Sequence, residues 1–191
     1  MQSPGWRATL LDGLGRAMRD QRGVSAVEFA LLIPIMIGLY VSAIELSTAL
    51  TINRRTAAIA GAAADLVAQD KTTSATALRD VMQAASSILT PYPDAPLTIK
   101  LTSVVADSNN QGKVAWSCAN KGGAYAAQAN FPLPNGLTEA GSSVIVAEVK
   151  YAYTPLLGLT SFGSPTAFTM TRDFYSRPRK SLKVDKTDSG C

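Results

Sequence analysis

Few residues in this chain have the type and spacing for chemistry, and the most telling is one carboxylate. In "RGVSAVEFALLIPIM", Arg22 to Met36, Glu28 stands five positions after Gly23 and directly before an almost unbroken apolar run. A carboxylate inside a membrane is costly, so it sits near the interface or takes a partner. Histidine is absent, which removes Ser-His and Cys-His nucleophile pairs, His general bases and His-containing metal sites. The two cysteines, Cys118 and Cys191, cannot build a four-thiolate metal site. Asp65, Asp70, Asp80 and Asp107 show no spacing that converges on a hydrolytic centre. The expectation is a protein that is not an enzyme, with no cofactor, no metal and no small-molecule substrate. A membrane-bound hydrolase using Ser or Asp groups is the weaker rival.

The element that positions Glu28 is membrane-length. From Phe29 to Ile44 the chain reads FALLIPIMIGLYVSAI without a charge, and the flanking apolar residues extend it from Val24 to Ile52, broken only by Glu28 and Glu45. About 20 residues suffice for a helix to cross the hydrocarbon core, and membrane helices accept a proline such as Pro34. Arg7, Arg16, Arg19 and Arg22 precede the span and Arg54 and Arg55 follow it. That imbalance predicts a cytoplasmic N-terminus and an external C-terminal region. The apolar run is too long for a cleaved secretory signal, and no small-x-small site follows it. Glu45 reads as a carboxylate facing the outer interface.

The composition bounds the rest. Hydrophobic residues make up 47% of the chain but crowd between Val24 and Leu50, which leaves an ordinary soluble remainder. The net charge of +4 lacks the dense basic stripe with interleaved aromatics of a nucleic-acid binder.

The "RGVSAVEFALLIPIM" stretch resembles the processing site of type IV pilin-like proteins. More narrowly, it resembles the TadE/TadG-like minor pilins (pseudopilins) of the tight-adherence, or Flp-type, pilus system. The resemblance implies that a prepilin peptidase cuts on the cytoplasmic side between Gly23 and Val24, making Glu28 the fifth residue of the mature chain and Phe29 the sixth. The freed amine of Val24 would lie one helical turn from Glu28. In a bundle of such helices Glu28 could pair with that amine of a neighbouring subunit and fix the axial register. A second run, "VIVAEVKYAYTPLLGLTSFGSPTAFTMTRDFYSRP", is similar to the family's C-terminal strand-loop-strand. The leader is long, and Phe29 stands where the major pilins usually have Tyr; both features suit a minor component.

Beyond the membrane, "RRTAAIAGAAADLVAQD" is alanine-rich and free of proline, so the first helix is expected to run to about Gln69. Ala57, Ala58, Gly61, Ala62 and Ala64 would allow another element to approach closely. A second helix is expected from about Ser74 to Leu89, with Leu78, Val81, Met82, Ala85 and Ile88 or Leu89 on one face, ended by Pro91, Pro93 and Pro96. The period then changes to two: Leu97, Ile99 and Leu101; Val114, Trp116 and Cys118; Ile145 to Tyr153; and Phe168, Met170 and Phe174, with Arg172 the exception. "DSNNQG" reads as a turn and 154–165 as a loop with Leu156, Leu157 and Leu159. The aromatics Tyr151, Tyr153, Phe168 and Phe174 are expected in the core rather than on a binding face. The fold class is α+β and pilin-like: a long N-terminal transmembrane helix, a short helix and an antiparallel sheet of about four strands.

Outside the cytoplasm thiols tend to oxidise, which favours a Cys118–Cys191 disulfide over a buried Cys118 thiol. Such a bridge would tie down the tail "RPRKSLKVDKTDSGC", otherwise polar, basic and mobile. The expected organisation is a leader over 1–23, a transmembrane helix over 24–52, a periplasmic domain over 53–176 and a basic tail over 177–191. The expected protein is an inner-membrane minor pilin that helps assemble, initiate or tip a Tad pilus for surface adherence. Its partners would be the prepilin peptidase, other major and minor pilins and the Tad assembly platform. The alternative is an uncleaved signal-anchored periplasmic sensor or adhesin domain.

Overall fold

The computed structural model describes residues 23–108, 111–134, 136–137, 139–155 and 167–191. The chain divides into two units, Met1–Leu46 and Ser47–Cys191. Helix α1, Val24–Ala68, begins in the first and ends in the second. In the first unit its apolar side chains are exposed: Phe29 is 62% and Leu39 68% accessible. Ser42 returns its hydroxyl to the carbonyl of Gly38, 2.7 Å away, so that polar group is satisfied within the helix.

In the second unit one side of α1 is buried, through Ile52, Thr56, Ile59, Ala60, Ala63, Ala64, Val67 and Ala68. This is the helical three-and-four spacing. Of the small residues expected at this contact, Ala64 is buried and Gly61 and Ala62 half-buried, while Ala57 and Ala58 face outward. The larger Ile52 and Ile59 carry the packing instead.

Strand β1, Thr72–Thr73, leads into α2, Ala75–Ser86. Ser74 caps α2 by accepting the amide of Ala77 at 3.2 Å. A single 3-10 turn, Ser87–Leu89, completes it. Ala75, Leu78, Met82, Ala85 and Leu89 are buried, which is the face that the spacing predicts. Arg55 ties this region to α1, its Nη1 donating to the carbonyls of Ile88 and Thr90, both at 2.6 Å.

The remaining strands are β2 Leu97–Ala106, β3 Gly112–Ala119, β4 Asn130–Phe131, β5 Ser143–Tyr153, β6 Phe168–Ser176 and β7 Asp185–Lys186. Five of them form one antiparallel sheet in the order β4-β3-β2-β5-β6. Leu97, Ile99, Leu101, Trp116, Cys118 and the alternate residues Ile145 to Tyr153 of β5 join α1 and α2 in the main core. A smaller cluster, Val104, Val144 and Val146 with Phe131 and Tyr175, forms separately. The fold is thus α+β, with a sheet one short strand wider than expected.

The alternation read along β3 holds, with Val114, Trp116 and Cys118 all buried, although Val114 lies outside the main core. The register slips between Ser103 and Val104, so Ser103 faces Trp116 while Val104 faces Val114, a bulge that leaves the alternation intact. Two expectations are corrected. Phe168 and Phe174 are 46% and 45% exposed, because β6 is the edge strand and only Met170 on it is fully covered. The 177–191 segment, read as a polar tail, is folded. Val184 is buried, and β7 pairs in parallel with β1 through Thr72–Asp185 and Thr73–Lys186.

Candidate functional site: the processing and assembly segment

Gly23 is exposed, and a Cβ placed on it would meet no atom within 4 Å. The helix starts at the next residue, Val24, itself 51% exposed. The Gly23–Val24 peptide is therefore accessible at the first turn of a helix. Glu28 follows one turn on and is exposed, as is Phe29. Among the described residues the segment offers a carboxylate and apolar side chains without a covering surface. Arg7, Arg16, Arg19 and Arg22 lie outside the described residues, as do Leu156, Leu157 and Leu159.

From Val24 the helix is long and apolar enough to cross a membrane. Pro34 lies inside it without ending it. Glu45 is half-buried. Among the described residues no group of three His, Cys, Asp or Glu side chains is arranged to hold a metal ion. Two of the aspartates singled out in the sequence have partners elsewhere. Asp65 pairs with Arg179, and Asp107 accepts the amide of Gln111 at 2.9 Å.

The two cysteines do meet. Cys118 and Cys191 form a disulfide with Cα atoms 5.3 Å apart, within the range such bonds require. The chain before Cys191 is held at several further points. The Arg179 amide donates to the Ala68 carbonyl at 2.9 Å. The Trp116 indole N–H donates to the Val184 carbonyl at 2.8 Å. Asp188 accepts the amide of Ala75 at the start of α2, at 2.9 Å through Oδ2. The ammonium of Lys186, together with that amide, holds the Asp188 carboxyl below the usual carboxylate range. Burial pushes the Tyr151 hydroxyl above its ordinary pKa, and that hydroxyl donates to the Pro93 carbonyl at 3.2 Å.

Sequence reasoning tied residues 177–191 down through Cys191 but missed strand β7 and the burial of Val184. The signal for the latter was Val184 itself, an apolar residue in a charged run. The main-chain pairing with β1 has no side-chain signature.

With the geometry in place, comparison with known proteins adds one match. Residues 23–65 match the family model described as TadE-like protein. The match begins at Gly23 and covers the apolar part of α1 together with most of its continuation beside the core. The stretch "RGVSAVEFALLIPIM" lies inside it except for Arg22; the run from Val144 to Pro178 lies beyond it. No curated protein and no solved structure matches the chain.

Proposed function

We propose that this chain, a membrane-anchored protein associated with a Tad pilus by its TadE-like segment, is a minor pilin matured by a prepilin peptidase between Gly23 and Val24. The observation that carries the reading is one of register. The family match and the helix begin within one residue of each other, at Gly23 and Val24, and Glu28 falls one turn later. A cut there would leave a cationic amine at the very start of a helix otherwise lined by exposed apolar side chains.

Two forces would then divide the work of assembly. The apolar faces of α1 from Val24 to Leu50 leave lipid for neighbouring helices and supply adhesion without direction. The pairing of Glu28 with a neighbour's amine supplies direction, since opposite charges in low dielectric attract strongly and the attraction is deepest at the one axial register that brings them into contact. The N-terminus would lie in the cytoplasm and the domain from Ser47 onward in the periplasm, where Cys118 and Cys191 meet oxidising conditions. The domain would select neighbouring pilins at the initiation complex or tip.

The test is recovery of an epitope-tagged chain in pili sheared from cells that carry the Tad machinery. Co-sedimentation with the filaments is expected. Retention of all the protein in the inner membrane while filaments form normally would contradict the reading.

A further inference from the structure

The sheet carries a charged row that the pilus reading does not use. Lys100 of β2 lies directly opposite Glu148 of β5, and Glu148 directly opposite Asp173 of β6. One step along, Thr98 faces Lys150. A lysine facing a glutamate across two strands normally forms an ion pair. Here no ion pair is found between Lys100 and Glu148 among the described residues.

Instead the loop after β3 folds over this row and separates the two charges. The Lys100 ammonium lies 4.1 Å from the centre of the Tyr125 ring. The Tyr125 hydroxyl donates to Glu148 Oε1 at 3.0 Å, and Glu148 Oε2 is buried with no hydrogen-bond partner. Burial and this hydrogen bond raise the Tyr125 pKa, so the hydroxyl stays a donor. Lys121 is brought in by its own loop, anchored by donation to the Ala95 carbonyl at 2.7 Å. Gly122 follows at φ +78°, with nothing within 4 Å of where a Cβ would stand. Between loop and sheet lies a pocket of about 180 Å³ lined by Thr98, Lys100, Lys121, Gly122, Glu148 and Lys150 among others.

Three ammonium groups against one carboxylate give this lining a net charge of +2 (3 − 1). An anion is therefore favoured, but not any anion. The Glu148 carboxylate repels a bare dianion and calls for a hydroxyl donor beside it, while the Thr98 hydroxyl and the open backbone at Gly122 offer further polar contacts. The volume lies below that of ordinary drug-sized sites and suits a single ring.

We infer that this pocket is a binding site for a hydroxylated monoanion of monosaccharide size, a sugar acid, with its carboxylate held by Lys100, Lys121 and Lys150 and a hydroxyl directed to Glu148. The inference rests on the sheet and its loop alone and stands whether or not the chain enters a pilus.

Saturation-transfer NMR on the full chain in lipid nanodiscs tests it, with glucuronate as probe, glucose as its neutral counterpart and inorganic phosphate as competitor. Saturation of glucuronate but not glucose is expected, with phosphate displacing it poorly. Lys100→Gln and Lys150→Gln should each weaken binding several-fold, and Lys150→Arg should retain it. Lys150 is exposed, so its variants report on binding even where Lys100→Gln disturbs the Tyr125 contact. Absent glucuronate saturation, equal saturation of glucose, or binding indifferent to Lys150→Gln would overturn the site. Phosphate competing as well as free glucuronate would overturn the assignment to a sugar acid.

Discussion

The ring of Phe174 on β6 covers Gly61 on α1: a Cβ built on Gly61 would lie 3.7 Å from the ring edge. That is ordinary van der Waals contact and not a clash. Gly61 thus leaves a shallow gap beneath an aromatic ring that is otherwise 45% exposed. Gly61→Ala should fill it and add helix propensity, stabilising the domain by up to about 1 kcal/mol. Gly61→Leu should lift the ring off and destabilise by roughly 1–3 kcal/mol. Denaturant titration of the two variants in micelles checks both signs; an alanine variant less stable than the parent would contradict the packing described.

The disulfide between Cys118 and Cys191 spans 73 residues of chain. On the chain-entropy account a loop of that size contributes about 4 kcal/mol. Cys191→Ser or thiol reduction should therefore cost up to that amount, and should release residues 177–191 first, measured as amide exchange at Asp185 and Thr187. These amides donate to the carbonyls of Lys71 and Thr73. Unchanged protection in the reduced chain would mean that Trp116 and Val184 hold the segment without covalent help.

Asp188 makes the same segment sensitive to acid. Its folded pKa is lowered, chiefly by the Lys186 ammonium and next by the Ala75 amide. A lowered carboxylate pKa stabilises the folded state above the unfolded value and loses that contribution as pH falls through the folded value. The unfolded reference is 3.8, so the contribution is complete at neutral pH and disappears below that value. Asp188→Asn should raise amide exchange at Ala75 at pH 7 and match the parent in stronger acid. A difference of the same size at both extremes would point away from the carboxylate charge.

Glu28 is exposed at the first turns of α1, so its replacement should leave the fold of the domain untouched. If it fixes register by pairing with a neighbour's amine, Glu28→Ala and Glu28→Gln should both lower recovery in sheared pili. A loss of about 1.4 kcal/mol per subunit contact corresponds to about tenfold in the assembly equilibrium. Full recovery of Glu28→Gln with loss of Glu28→Ala would assign the role to hydrogen bonding and contradict the ion pair. Equal recovery of both with the parent would remove Glu28 from assembly.

What the sequence made legible followed its periodicities. The helix through Val24, the apolar face of α2 and the alternation along β5 all bury side chains at fixed intervals, and the structure places each near its expected bounds. What stayed hidden depends on contacts without a period. The one-residue register slip beside Trp116 has no signal in the alternation of β3. The exposure of Phe168 and Phe174 followed from strand order, since an edge position is a property of the sheet and not of the strand's own residues. The charged tail folds through main-chain pairing, a disulfide and the single Val184. The candidate processing site was legible because its signal is local: glycine, a one-turn interval, a carboxylate and an apolar run. The Tyr125–Glu148–Lys100 arrangement joins three distant segments, and no one of them announces it.

The most direct test of the account is the intact mass and N-terminal residue of the chain extracted from membranes, with and without a co-expressed prepilin peptidase. The account predicts a chain beginning at Val24 only when the peptidase is present, with the Gly23→Trp variant left uncut. A chain still beginning at Met1 under both conditions, with the peptidase shown active on another pilin, would contradict it and favour an uncleaved, signal-anchored domain.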